Sequence, residues 1–390
     1  MPLDAWTTAL PYAAIGDAVH VAFWAAAAVI AYIYLGYPLV LAVLGRLMTR
    51  PVAQAPIEPS VSLLIAAYNE ADVIEAKIRN ALELDYPPDR LEIVVASDGS
   101  TDGTAERAAT LTDDPRVRVI AYPRNRGKLA VLNDTVPRLR GEIVVFSDAS
   151  SMLARDALRH LVAAFADPQV GGVSGLYRVV RPGQSALGFQ EDAYWRYETY
   201  LKRAEAALHS TLGAHGALYA IRRALYPFPN PRTINDDFVI PFRIVARGYR
   251  VVYEPAAVAC EEASEMDGFT RRVRIMTGNI AQLAELGRLL RPLRPLPLFF
   301  FLSHKGGRLA TPLAMVVLLA ANVALAHEPF FRATLALQGM FYLLVALGAW
   351  IRIHPAVLRL PYYFCLINAA ALVGCYHALR GGTRVAWKRS

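Results

Sequence analysis

Apolar residues in this 390-residue chain are concentrated at its two ends, and that distribution restricts the folds open to it. Val19–Leu44 is apolar apart from His20 and long enough to span a bilayer. Leu309–Ala326, Phe330–Ile351 and Leu360–Leu379 are further candidate spans, the first two joined by a tight turn at His327-Glu328-Pro329. Leu296–Leu302 is too short to cross by itself and reads as an interfacial or re-entrant piece. Between the apolar ends, residues 60–260 have ordinary globular alternation, so the hydrophobic content of 55% and mean hydropathy of +0.29 describe a membrane protein with a water-facing domain. Asp4 and Asp17 precede the first span, and Arg46 and Arg50 follow it. This charge order differs from that of a cleaved secretory signal. It predicts a multi-pass inner (plasma) membrane protein with residue 50 and the following domain in the cytoplasm. Four crossings would leave Arg384, Lys388 and Arg389 outside, so the expected number of spans is three or four.

The middle segment alternates strand and helix. Val61–Ala67, Leu91–Ala96, Val117–Tyr122 and Glu142–Ser147 read as strands, and Glu70–Leu84, Asp102–Leu111 and Lys128–Leu139 as helices. This predicts an α/β, Rossmann-like domain with a mostly parallel sheet, attached to α-helical transmembrane segments. The boundaries are an anchor at 1–50, a proline-rich linker at 51–59 and the α/β domain at 60–262. An amphipathic, arginine-bearing interface helix follows at 263–295, then C-terminal transmembrane helices at 296–380 and a basic tail at 381–390. Folds of this class bind ligands beyond the carboxyl ends of their strands. Tyr68-Asn69-Glu70, Asp98-Gly99-Ser100, Arg126-Gly127-Lys128 and Asp148-Ala149-Ser150 all lie in such places. Each is an ordinary turn or cap when taken singly; together, at successive strand ends of one sheet, they outline a site.

A second polar concentration runs from Ile234 to Gly278. Adjacent carboxylates at Asp236 and Asp237 favour one raised pKa suited to a base. Arg271, Arg272 and Arg274 suit a diphosphate. The net charge of +8 fits an anionic substrate and an anionic membrane surface. No basic stripe with interleaved aromatics supports nucleic-acid binding. Cys260, Cys365 and Cys375 form neither a disulfide framework nor a zinc pattern.

In this order, the motifs resemble those of membrane-bound family-2 glycosyltransferases with a GT-A fold, the group of cellulose, hyaluronan, chitin and poly-N-acetylglucosamine synthases. The resemblance covers roughly Val61 to Gly278 and the flanking membrane segments. It implies Tyr68, Glu70 and Asp98 as nucleotide contacts and Lys128 facing a donor, with a UDP-sugar as that donor. It implies Asp148 and Ser150 at a site for Mg²⁺ or Mn²⁺. His215 and Arg222 fall in a stretch similar to the strand beside the acceptor, and Arg271, Arg272 and Arg274 sit where the family's diphosphate and acceptor motif lies. Asn235-Asp236-Asp237 stands for the motif whose last carboxylate is the general base, which makes Asp237 the base with Asp236 beside it.

Three positions depart from the family pattern. Ser150 replaces the second metal-motif aspartate, Arg271 replaces a glutamine, and Ile275 replaces a tryptophan. The last puts processive polymer synthesis in doubt and implies short products. The expected function is inverting transfer of a sugar from a nucleotide-sugar to a glycan or polyprenyl-linked acceptor in surface polysaccharide synthesis, alongside polysaccharide-export partners. The alternative is a catalytically silent family member that scaffolds a synthesis or export complex, and Ser150 is its only support.

Overall fold

The computed structural model describes residues 4–180, 187–262, 268–350 and 356–380. The expected basic tail lies outside them. In chain order the elements are α1 (Asp4–Ala31), α2 (Tyr37–Leu47), β1 (Val61–Ala67), α3 (Ile74–Leu82), β2 (Leu91–Asp98), α4 (Thr104–Ala109) and β3 (Val117–Tyr122). Next come α5 (Lys128–Thr135), β4 (Ile143–Asp148), β5 (Met152–Leu153), α6 (Ala157–Ala163), β6 (Val170–Val180) and α7 (Leu187–Leu208). They are followed by β7 (Tyr219–Arg222), α8 (Asp236–Ala246), β8 (Arg250–Glu262), α9 (Gly268–Ala281) and α10 (Gly287–Leu290). The chain continues through α11 (Pro295–Phe300), α12 (Gly307–Ala324), α13 (Pro329–Trp350) and α14 (Ala356–Leu379).

The strands form one sheet in the order β3-β2-β1-β4-β7-β6-β8-β5. The β3-β2-β1-β4 half is parallel, as its continuous apolar runs predict. β7 is antiparallel to both β4 and β6, β8 is parallel to β6, and β5 is antiparallel to β8. Both faces of the sheet are buried. Leu63 and Ile65 of β1 join a core with Ile74 and Ile78 of α3 and Leu158 and Leu161 of α6. Leu64 and Ala66 join the opposite core with Leu129 and Leu132 of α5, Phe238 and Phe242 of α8, and Phe300 and Phe301. Tyr37 and Leu41 belong to this second core, so the end of the first apolar helix is part of the α/β domain's interior.

Among the described residues, three helices are long and apolar enough to cross a membrane: Gly16–Leu47, Pro295–Ala324 and Pro329–Trp350. The second corrects the reading of Leu296–Leu302 as a separate re-entrant piece. That segment continues without a break through a π-helical stretch at Phe301–Gly306 into α12. The wider turn keeps the helix going where Gly306-Gly307 would suggest an end. The expected fourth span, Leu360–Leu379, lies within a helix, α14.

Arg250 staples the linker to the domain. Its guanidinium is almost completely buried and donates to the carbonyls of Arg50, Pro51, Ala206 and His209. Arg250→Met should leave these acceptors without a buried donor and cost roughly 3 kcal/mol of stability. A lowered melting temperature of the detergent-solubilised chain checks this; an unchanged one would show that water replaces the guanidinium.

Candidate active site

The loops after β1 and β2 are laced together by backbone and short side chains. Asn69, held in the left-handed region at φ 55°, accepts from the Thr101 N–H at 2.9 Å, and its own N–H donates to Ser100 Oγ at 3.1 Å. The N–H groups of Glu70 and Ala71 donate to Thr104 Oγ1 and Asp102 Oδ2. Gly99 has φ 67°, and a Cβ there would stand 2.3 Å from the Arg124 carbonyl carbon, so this loop needs glycine. Tyr68 and Glu70 are half-buried on the rim it forms.

Asp98, which the resemblance implies as a nucleotide contact, ends β2. It is fully buried, and its two oxygens accept from the N–H groups of Arg126 and Gly127 at 2.9 and 2.8 Å. Its charge is therefore spent fixing the turn that starts α5, which aims Lys128. The Lys128 ammonium lies 2.8 Å from Asp148 Oδ1 and 3.2 Å from Asp236 Oδ1. Burial works against its charge, but Asp148 and Asp236 outweigh that cost and hold its pKa well above the usual lysine value.

Asp236 and Asp237 occupy the first turn of α8, where the helix dipole favours anions. Asn235 precedes them in a left-handed conformation, and its Nδ2 donates to Ile275 O and Asn279 Oδ1 of α9. Asp236 is buried and also accepts from the Tyr219 hydroxyl at 3.1 Å. Asp237 faces Asp148 across Gly216: a Cβ on that glycine would lie 3.2 Å from Asp148 Oδ2 and 3.8 Å from Asp237 Oδ2. Burial, then the neighbouring Asp236 charge, push the Asp237 carboxyl up to about 6 against the pull of Lys128, Lys202 and Lys305. Lys202, on α7, donates to Ala214 O at 3.0 Å, and burial brings it down to about 8.

The remaining expected contacts have other surroundings. His215 is buried between Tyr177 and Tyr253, and burial drives its pKa well below the usual histidine value. A neutral imidazole brings no charge to a diphosphate. Arg222 is removed from the site because β7 runs antiparallel to β4: it pairs with Ile143 at the strand start, while Asp148 ends the strand. Its guanidinium donates to the carbonyls of Phe165, Asp167 and Val170. On α9, Arg272 lies 4.5 Å over the Tyr363 ring of α14, and Arg274 is exposed. The Arg271 side chain is outside the described residues. The helix expected at the membrane interface thus packs between α14 and the Asn235 turn.

Ser150, expected near a metal, donates to Glu261 Oε1 at 2.7 Å. Beneath this loop the fully buried Lys77 donates to Ser147 Oγ at 2.7 Å and to the Ser151 carbonyl. Lys77 and Glu261 escaped sequence reasoning. A lysine three residues after Ile74, on the apolar face of α3, was the signal for the first. Glu261 becomes a neighbour only through the pairing of β8. Among the described residues no three His, Cys, Asp or Glu side chains gather as a closed metal cage. The hard oxygens of Asp148 do fit a divalent cation that takes its other ligands from a diphosphate.

A Rossmann-like sheet with polar loops at its parallel end, a carboxylate closing β4 and a second carboxylate opening α8 across from it is the arrangement of a GT-A fold. Residues 62–226 match the family model described as glycosyl transferase family 2. Poly-beta-1,6-N-acetyl-D-glucosamine synthase of Staphylococcus aureus (strain MSSA476) is 28% identical over 225 residues, 56% of this chain and 54% of the synthase. Probable glycosyltransferase YdaM of Bacillus subtilis (strain 168) is 28% identical over 258 residues, 62% of this chain and 61% of that protein. The chain thus spans about half the length of the synthase it matches. Mannosyltransferase PcManGT from Pyrobaculum calidifontis, solved in complex with GDP-Man and Mn2+, superposes with a TM-score of 0.70 at 27% identity, covering 92% of this chain and 99% of that one. Residues 62–226 thus form a domain of the glycosyl transferase family 2 type on a GT-A fold.

A base with a pKa near 6 works only when deprotonated. Transfer should therefore fall about tenfold per pH unit below pH 6 and level off above it. Asp236→Asn removes the second cause of the raised value and should move the midpoint to lower pH. A kcat/KM profile from pH 4.5 to 8 checks both; a midpoint unmoved in the variant would dissociate it from this pair.

Proposed function

We propose that the protein transfers a sugar, with inversion at the anomeric carbon, from a nucleoside-diphosphate sugar to a hydroxyl of a glycan or lipid-linked acceptor at the membrane surface. The observation that carries this reading is the placement of Asp237, raised towards neutrality, opposite Asp148 across Gly216. Asp237 takes the proton of the acceptor hydroxyl as its oxygen attacks the anomeric carbon. The bond from that carbon to the diphosphate oxygen breaks, and the electron pair leaves with the nucleotide. Lys128 supports the charge growing on the diphosphate, and Asp236 orients Lys128 while tuning Asp237. Asp148 would hold a divalent cation, which would supply further charge stabilisation for the leaving group.

The donor was expected to be a UDP-sugar. The similarity to a mannosyltransferase solved with GDP-Man and Mn2+ supports a second reading in which the base is guanine. Acceptors in surface polysaccharide synthesis fit the relationship to the synthase, and export partners belong to the same reading. Exposed Ile275, standing where the synthases have an aromatic ring, favours short products over a threaded polymer. The silent-scaffold alternative has little support, because Lys128, Asp148, Asp236 and Asp237 converge on one place and Asp237 is tuned for proton transfer.

The test is incubation of the chain in lipid nanodiscs with UDP- and GDP-sugars and Mn²⁺, following nucleotide release and product length. Release with one donor class identifies the base. No release with any donor would return the chain to the scaffold reading. Asp237→Asn should lower turnover by roughly 10²–10⁴-fold while donor affinity stays within a few-fold. A variant that keeps a tenth of wild-type turnover would remove Asp237 as the base.

A further inference from the structure

The metal motif implied by the family resemblance has a carboxylate where this chain has Ser150, which leaves Asp148 as its one acidic member. The sheet supplies a carboxylate from 111 residues further along the chain. β5 follows the Asp148 loop directly and pairs antiparallel with β8, Met152 opposite Cys260. The next β8 residue, Glu261, therefore comes beside that loop. β6 fixes Glu261 from the other side, because Tyr177 pairs with Ala259 and so shares a face with Glu261 two residues on. Both oxygens of Glu261 are held: Oε1 accepts from Ser150 Oγ at 2.7 Å and Oε2 from the Tyr177 hydroxyl at 2.9 Å. An ionised carboxylate has about four lone-pair sites, so these two bonds orient it and leave acceptor capacity.

Lys77 locates Glu261 relative to Asp148. Its buried ammonium lies under the Ser147–Ser151 loop, and the two carboxylates that act on it are Asp148 and Glu261. The two acids therefore flank the same short loop, with Ser150 between them in sequence and bonded to one of them. We infer that Glu261 is the second protein carboxylate for the divalent cation, replacing the missing aspartate, with Ser150 and Tyr177 as positioning residues that hold it. The chemistry is consistent: Mg²⁺ and Mn²⁺ sites on nucleotide diphosphates use one or two protein carboxylates, the remaining ligands being phosphate oxygens and water. A hydroxyl at position 150 then serves as a hydrogen-bond donor to the ligand rather than as a poor ligand itself.

This rests on the reading of Asp148 as a metal-holding residue, and the experiment separates the two. Mn²⁺ binding to the full chain in detergent is followed by electron paramagnetic resonance, with and without UDP or GDP, so no turnover is needed. Glu261→Gln should weaken Mn²⁺ binding at least 10–100-fold, the loss typical of even an outer metal-site group. Ser150→Asp placed in that variant should restore most of the affinity. Wild-type Mn²⁺ affinity in Glu261→Gln together with loss in Asp148→Asn would overturn the inference and leave the site standing. Wild-type affinity in both variants would overturn the two together. If Glu261→Gln does not fold, Tyr177→Phe decides. Removing one orienting hydroxyl should weaken Mn²⁺ binding several-fold, and unchanged affinity would overturn the inference.

Discussion

One ammonium ties together two carboxylates that the chain delivers from different elements. Lys128 opens α5, Asp148 closes β4 and Asp236 opens α8, and the ammonium offsets the two carboxylates that face it. The surrounding structure serves this arrangement. Asp98 is used up in setting the backbone turn before Lys128. Asn235 adopts a left-handed conformation so that α8 starts at the carboxylate pair, and it anchors α9 at the same time. Gly216 keeps the space between Asp148 and Asp237 free of side chain. A pair of adjacent aspartates would ordinarily repel; with Lys128 bound to the first, the second can keep an intermediate pKa.

The parallel half of the sheet was legible because strands buried on both faces leave continuous apolar runs. β1 and β3 occupy the spans read from sequence, and β2 and β4 differ from theirs only at the ends. The polar motifs after those strands were legible for the same reason, since their position follows from strand direction. Strand direction failed where it had to be assumed. Arg222 looks like a site residue beside the His215 stretch, but β7 runs backwards and carries it to the far end of β4. The long β6–β8 pairing joins segments about eighty residues apart and has no local signature, so Glu261 stayed invisible. The Pro295–Ala324 helix was divided in the reading because glycines and His304-Lys305 interrupt its apolar run, whereas a π-helical stretch and buried partners carry the helix through.

His304 also illustrates how polar groups behave when an apolar helix doubles as part of a domain core. It is buried, as is Ser303, and Lys305 lies 5.5 Å from the Phe238 ring, one residue past Asp237. The charged side chains that mark this helix as unusual for a membrane span therefore face the catalytic domain. Their cost is offset by partners on α7 and α8, so hydropathy alone misjudges where the membrane helix ends and the enzyme begins.

Tyr37, Glu205 and His304 come from the first apolar helix, α7 and the second apolar helix, and they meet at a single atom. The tyrosine hydroxyl and His304 Nδ1 each lie 2.7 Å from Glu205 Oε1, and all three side chains are buried. Mechanically, this is a weld and not a hinge: the catalytic domain cannot swing on its anchor without leaving a buried carboxylate unpartnered. The distance of Asp237 from the first and second apolar helices is then a constant of the molecule. Under the proposed function, a site held this way would measure its acceptors like a fixed ruler, reaching the hydroxyl that stands at one distance from those helices and passing over those nearer or farther.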